Sequence, residues 1–428
     1  MSNNPKQPKQ DDAVFGGAAP APVAGVVLGG LEGAKHRLSS AAVETRIAAL
    51  ADCLNYGEAG LNLVARALQD KSKRVRKQAY LLLRQRKEPQ AIQALQEYKA
   101  WNLFERFDLP VENEFFYYTK TFANRKVEEF DPETSIVDPA GIAYALRCDY
   151  YEKEEMTDKL AGLLQDPQAN KLEALVISWW ISFMPSTNSF SVIIDMLVAA
   201  TEKLTSLKAL FLGDLGLGGT DLSLIRQSDV SPVLEAYPKL EMLQVRGGNG
   251  LAFSSTWHDN LEILAIETGG LSRQTIAQIC VMDLPALKHF ELWLGNYYYG
   301  IDSSVEDLIP IISGNLFTNL NYLGLRNSEY TDEIAVALVE APVMQQIAVL
   351  DLSMGTLGDE GALALLESPA INQLDILNVS ENFLSEDIIK QLQQLDCQAI
   401  ADRQKQPYYE EDYGFKRYCS VADLAKYY

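Results

Sequence analysis

Histidine and cysteine are scarce in this chain, three of the one and five of the other in 428 residues. His36, His258 and His289 lie far from one another and from Cys53, Cys148, Cys280, Cys397 and Cys419, and no Cys-x-x-Cys pair occurs. Zinc ligation needs short, fixed spacings of such residues, so no metal site is expected. An odd number of scattered thiols reads as buried or idle side chains in a reducing compartment. Apolar runs of the roughly 20 residues that cross a bilayer are missing as well. The opening MSNNPKQPKQDDAVF lacks the basic-then-apolar order of a secretory signal. A cytoplasmic chain with no membrane span and no cofactor is the expectation. Also absent are a Gly-x-Ser-x-Gly elbow and any serine or cysteine with a credible histidine partner, so the chain is expected not to be an enzyme.

Positive charge is short over most of the length. The net charge is −21, yet residues 31–106 hold 14 Lys/Arg against 8 Asp/Glu and residues 1–30 balance at zero, which leaves −27 on residues 107–428. Phosphate binding needs the opposite sign, so nucleic acid is not expected as a ligand of the large part. A protein partner, most plausibly a basic one, fits the charge better.

Residues 1–30 are polar, then rich in small residues and proline (GGAAPAPVAGVVLGG), the composition of a disordered tail. From Ser39 to Tyr98 the spacing turns helical. Val43, Ile47, Leu50 and Leu54 recur at three and four residues, followed by Leu61, Val64, Ala65 and Leu68 and by Val75, Ala79, Leu82 and Leu83. PQAIQALQEY supplies a fourth, shorter helix. The stretch LNLVARALQDKSKRVRKQAYLLL, with Asp70 between paired helices and Val75 then Arg76 opening the next, resembles HEAT repeats of the kind attached to cyanobacterial multidomain proteins. That resemblance implies a small all-α HEAT-repeat module over 31–100. Residues 101–170 read as a transition and β-rich cap. NEFFYYTKTF, RKVEEF and IAYALRCDY suggest short strands, DPETSIVDPAG a turn, and MTDKLAGLLQDPQAN a helix ended at Pro167.

From Leu172 one phrase, LxxLxL, returns eight times: LEALVI, LKALFL, LEMLQV, LEILAI, LKHFEL, LNYLGL, IAVLDL and LDILNV. Start-to-start spacings are 35, 33, 21, 26, 33, 27 and 27 residues, with helix-like runs such as TDEIAVALVEAPV between them. The leucine positions point inward from a short strand, and a returning helix covers them. Neither element hides its apolar face alone, so stacked repeats share one core. The predicted fold class is an α/β solenoid, a leucine-rich-repeat horseshoe of about eight repeats over 171–400, with an acidic, tyrosine-rich tail or cap over 401–428. LFLGDLGLGG, IRQSDVSPVLEAYPKLEMLQVRGGNGLAF, LPALKHFELWLGNYYYG and VLDLSMGTLGDEGALALLESPAI, with the closing KRYCSVAD, resemble a ribonuclease-inhibitor-like bacterial leucine-rich-repeat family named from an enterobacterial locus tag. The likeness runs from about Lys126 to Asp423. It implies a fold and brings no activity. The HEAT segment and the LAKYY ending depart from that family's usual architecture.

Residues between the leucines face the other side of the sheet. One row reads Val176, Phe211, Gln244, Ala265, Glu291, Gly324, Asp351 and Asn378. The next reads Ser178, Gly213, Arg246, Glu267, Trp293, Arg326, Ser353 and Ser380. Arg246, Glu267, Glu291, Trp293, Arg326 and Asp351 are therefore the candidate partner-binding residues, being the residue types that anchor interfaces. The blander reading is a solvated ladder of ion pairs. Glu267 and Glu291 could be imagined as an acid–base pair, but carboxylates on adjacent strands are ordinary in an acidic solenoid. GGNG (247–250) and Gly269–Gly270 lack a following Lys-Ser/Thr and read as tight turns, not phosphate loops. Trp179–Trp180 and NYYYG (296–300) are core or interface aromatics. In KSKRVRK (71–77), Arg74, Arg76 and Lys77 would carry a contact to an acidic partner, an anionic membrane surface or the chain's own acidic solenoid; solvated helix surface is the plainer reading.

The leading expectation is a non-enzymatic protein-binding scaffold or adaptor using the concave repeat face. One alternative is a bilin lyase or chromophore-handling protein of HEAT type, against which the short helical part speaks. Another is a structural subunit joined through the tyrosine-rich tail.

Overall fold

The computed structural model describes residues 30–84, 86–97, 118–148, 154–180, 189–215, 222, 225–254, 257–395, 397–410 and 414–420. The chain divides into two compact units, residues 1–100 and 101–428.

The first unit contains helices α1 (Gly30–Leu38), α2 (Val43–Cys53), α3 (Gly57–Ala67), α4 (Lys73–Arg84) and α5 (Pro89–Glu97). Helix α1 begins where the tail was expected to end and adds one element before the periodic run. The buried stripe of α2 is Arg46, Ala49, Leu50 and Cys53, while Val43, Ile47 and Leu54 are only half-buried. The stripe is thus rotated from the one expected, because Arg46 turns inward. Its guanidinium holds both Asp70 carboxylate oxygens at 3.0 Å and donates to Ser40 O and Ala41 O. One arginine therefore ties the start of α2 to the α3–α4 turn and satisfies main-chain carbonyls there. Leu61, Val64, Leu68, Val75, Ala79 and Leu83 complete the core. At Gly60 a Cβ would collide with Cys53 O, so α2 and α3 approach closely only through this glycine.

The second unit is a single twelve-stranded sheet whose strands lie in sequence order. They are β1 (Thr121–Phe122), β2 (Arg125–Glu129), β3 (Ile142–Leu146), β4 (Ala174–Ser178), β5 (Ala209–Asp214), β6 (Met242–Arg246), β7 (Ile263–Glu267), β8 (His289–Gly295), β9 (Tyr322–Ser328), β10 (Val349–Asp351), β11 (Ile376–Asn378) and β12 (Gln398–Ile400). Only β1–β2 is antiparallel, a tight hairpin turning through Ala123 and Asn124, both at positive φ. Every later pair is parallel. Among the described residues eight helices return between the strands: α6 (Met156–Leu163), α7 (Phe190–Ala199), α8 (Ser231–Ala236), α9 (Arg273–Ile279), α10 (Val305–Ile312), α11 (Thr331–Leu338), α12 (Asp359–Glu367) and α13 (Glu386–Leu392). Between β6 and β7 the described residues hold no helix. Serines at 189, 272 and 385 cap α7, α9 and α13, and Ser304 with Asp307 forms a capping box on α10.

The recurring phrase explains the packing. Leu175, Leu210, Leu243, Leu264, Phe290, Leu323, Leu350 and Leu377 are register partners from strand to strand. With their companions in the phrase they enter one continuous core that runs from Phe130 to Cys397. Asn382 ends the last phrase, donating to Leu352 O of the preceding repeat and accepting from Leu357 N. The unit is a leucine-rich-repeat-like solenoid. Strands β2 and β3 belong to the same sheet and α6 follows β3 as later helices follow their strands, so the repeat pattern starts upstream of Leu172. The expected strand over 113–117 lies outside the described residues, as do the tail over 1–29 and the LAKYY ending.

Past β12 the chain turns back. A hairpin of β13 (Tyr408–Glu410) and β14 (Gly414–Lys416) leads to Ser420, whose N–H donates to Met354 O. Lys405 Nζ donates to Gly355 O and Tyr418 O, and Arg417 pairs with Asp332 at 2.6 Å. Residues 401–410 and 414–420 therefore strap the segments that follow β9 and β10. No helix among the described residues is long and apolar enough to cross a membrane.

Candidate functional site

Alternation along each strand puts the non-leucine positions on one face, and that face divides in two. Over β3–β5 it carries Ala143, Ala145, Ala174, Val176, Ala209 and Phe211, packed with Phe122 and Ala123 from the β1–β2 hairpin. The Phe122 and Phe211 rings lie 5.8 Å apart. Thr119 N donates to Asp214 Oδ1 at 3.1 Å, Arg147 donates to Thr119 O, and the Arg147 guanidinium lies 4.3 Å from the Tyr118 ring centroid. Residues 118–123 thus cross this face, and the small alanines let them come close.

From β6 onward the first row of the same face stays apolar at Met242, Ile263, Val349 and Ile376, while the rows beyond it turn polar. Glu267 accepts from Gln244 Nε2 at 2.8 Å and from Arg246 Nε at 2.9 Å. Glu291 accepts from Trp293 Nε1 at 2.8 Å and Arg326 Nη1 at 3.0 Å. Tyr322 OH lies 3.1 Å from Glu291 Oε2 and 3.0 Å from Asp351 Oδ2, and the ring stacks on His289 at 3.9 Å. Asp351 also accepts from Asn378 Nδ2 and Ser353 N. Arg326 completes the group through Ser353 Oγ, with Asp351 at 3.5 Å. Burial works against its charge, but Asp351 and Glu291 outweigh burial and push its pKa up.

All six expected ladder residues share this face, in two sets: Arg246 with Glu267, and Glu291, Trp293 and Arg326 with Asp351. The ladder is not solvated. Glu291 is fully buried, Glu267, Trp293 and Asp351 nearly so, while the side chains of Arg246 and Arg326 keep 12% and 16% exposure. The reason is size: long polar side chains on adjacent strands shield and satisfy one another in the narrow spacing of a parallel sheet. One member of the row differs from expectation. A bulge at Gly213 (φ +95°) shifts the register so that Asp214, not Gly213, pairs with Ser178. Asp214 then lies between Arg147 at 3.5 Å and Arg246 at 3.9 Å. A glycine inside a strand pattern was the available signal for that bulge.

The arginines of the basic run lie in the other unit and make internal contacts. Arg74 pairs with Glu44 at 2.6 Å and Arg76 donates to Asp70 O. The Lys77 side chain lies outside the described residues. No group of three His, Cys, Asp or Glu side chains among the described residues is arranged to hold a metal ion. Burial pushes the Cys148 thiol up to about 12 and the Cys280 thiol up to about 11, away from nucleophilic use near neutral pH.

At the rim where the strands end, two tyrosine-rich segments meet. Tyr297 and Tyr298, after β8, are 77% and 69% exposed, and Tyr409 is 66% exposed. Tyr418 joins the two segments, its ring 6.2 Å from Tyr298 and 6.4 Å from Tyr408.

One solved structure shares the fold over much of its length. A crystal structure of a protein from Bacteroides fragilis superposes at TM-score 0.57 with 29% identity, over 65% of this chain and 77% of that one. An internalin from Listeria monocytogenes gives TM-score 0.31 and 14% identity over 60% of each chain, too slight a likeness to carry an argument. No family model and no curated protein matches the chain.

Proposed function

We propose that the chain is a non-enzymatic protein-binding scaffold, and that the partner docks at the tyrosine rim beside the charged sheet face. The observation that carries this reading is the exposed patch of Tyr297, Tyr298, Tyr408 and Tyr409, built from segments about 110 residues apart and pinned by the strap. Exposed tyrosines on a rigid base contribute large contact area at small entropic cost. In this reading Arg246 and Arg326 present their exposed edges on the concave side of a leucine-rich-repeat horseshoe. Glu267, Glu291, Trp293 and Asp351 hold those two guanidiniums in place. The −27 charge of residues 107–428 steers a basic partner toward the site. The helical unit is a HEAT-repeat module in which the Arg46–Asp70 clamp links successive helices, and the chain works in the cytoplasm.

Affinity purification of the full chain from its native cell, beside a Tyr297→Ser/Tyr409→Ser variant, tests the proposal. A stoichiometric, salt-sensitive protein partner lost in the variant supports it. Co-purified bilin pigment, or a partner indifferent to the variant, overturns it. Light scattering addresses the structural-subunit alternative: self-association abolished by the same variant would make the partner a second copy.

A further inference from the structure

Beside the tyrosine rim lies a cleft of about 540 Å³, formed where the chain leaves β6, β7 and β8. That volume falls within the range of small-molecule sites. Its walls are glycine-rich main chain at 248–250 and 269–270, with the Tyr299 ring and Leu222 as apolar surfaces. The glycines are needed for this shape. A Cβ on Gly269 would fall 2.9 Å from the Tyr299 ring, and one on Gly248 would fall 2.8 Å from Gly270 O. The two loops therefore pack main chain to main chain and leave a flat wall.

The chemistry of the lining is uniform. Asn249, Gln274 and Gln278 bring three carboxamides to the cleft. Among the described residues the Asn249 and Gln274 side chains make no hydrogen bond, and Gln278 uses Oε1, on Phe253 N, which leaves its Nε2 available. No acidic or basic side chain is among the described lining residues. A carboxamide offers both donors and an acceptor, which matches a hydroxyl that both donates and accepts. An anion or cation would meet no opposite charge among the described lining residues, and an apolar ligand would strand the three amides without partners.

We propose that this cleft binds a neutral, polyhydroxylated ligand, a mono- or disaccharide. The amides of Asn249, Gln274 and Gln278 take its hydroxyls, and its C–H face lies against Tyr299. This function is separate from partner docking and does not depend on it.

Saturation-transfer NMR on the full chain tests the site with cellobiose, maltose and chitobiose as probes, galacturonate as an anionic control and triglycine as a peptide control. The expected result is transfer to the ring protons of at least one neutral disaccharide, and loss of that transfer in Asn249→Ala/Gln274→Ala. Both side chains are exposed and make no hydrogen bond to the described residues, so the variant keeps the wild-type near-UV circular dichroism and melting temperature. Absence of transfer from all three disaccharides overturns the proposal. So does transfer unchanged in the variant, or transfer to triglycine or galacturonate that exceeds transfer to the sugars.

Discussion

The two halves of one sheet face are buried by opposite means. Over β3–β5 the face is alanine and phenylalanine, covered by residues 118–123 of the same chain. Over β6–β11 an apolar first row gives way to arginine, carboxylate, tyrosine and tryptophan, and these side chains bury one another. Strand geometry is the same in both halves; what differs is side-chain length. Short residues admit a second layer of main chain, whereas long polar residues fill the space and bring their own hydrogen-bond partners. A face left open by the repeat pattern is therefore not automatically a free surface.

Substitutions that break the contrast should rank as follows. Glu291→Ala removes the acceptor of the Trp293 indole N–H and the nearer of two carboxylates beside Arg326, and should cost about 3 kcal/mol, read as a lowered urea midpoint by tryptophan fluorescence. A loss below about 1 kcal/mol would mean water replaces the carboxylate freely. Phe122→Ala removes the ring that anchors the crossing segment and should cost about 3 kcal/mol. Rapid hydrogen exchange at Thr119 and Val127 amides should accompany it. Ala209→Leu thickens the alanine face beneath that segment and should cost about 1–3 kcal/mol, measured by thermal melting. If it instead stabilises the chain, the close approach of residues 118–123 is not what that alanine serves.

The helical unit sharpens the comparison, because it buries one arginine with one carboxylate where the sheet uses a ladder. Burial favours the neutral Asp70 carboxyl, but Ser72 N–H and Arg46 outweigh it and hold its pKa below the ordinary carboxylate value. The folded pKa being the lower one, this contribution is complete above the unfolded carboxyl pKa and is lost as pH falls through the folded value. Acid titration of the melting temperature should therefore fall less steeply in Asp70→Asn than in wild type, from a lower starting point at pH 7. Smallest of all, Tyr297→Ser should change stability by no more than about 0.5 kcal/mol, since a surface side chain outside the packed network carries little of the fold.

Much of the architecture was legible because burial writes itself into spacing. The LxxLxL phrase fixed which residues enter the core, since eight strands that each turn two or three branched side chains inward can hide them only by stacking. The helix-like run TDEIAVALVEAPV marked α11 for an equally local reason, its apolar residues recurring at helical spacing. The six ladder residues were legible as sharing a face, because period-two alternation needs no tertiary knowledge. Their burial was not legible, since it depends on which side chains meet across strands 20–35 residues apart.

Three features escaped local reading for the same reason. The Gly213 bulge exchanged a glycine for Asp214 in the row, through a register shift that only the neighbouring strand enforces. The alanines of β3–β5 gave no sign of what would lie on them until residues 118–123 were seen to cross. Tyr297, Tyr298, Tyr408, Tyr409 and Tyr418 formed one patch only because the strap brings Ser420 back to Met354. Sequence alone determined the repeating unit, its core positions and its sign of charge, all of which follow from periodicity and composition. Tertiary structure alone decided which parts of the sheet face are covered and which distant loops share a rim, because those depend on contacts between residues that no local pattern connects.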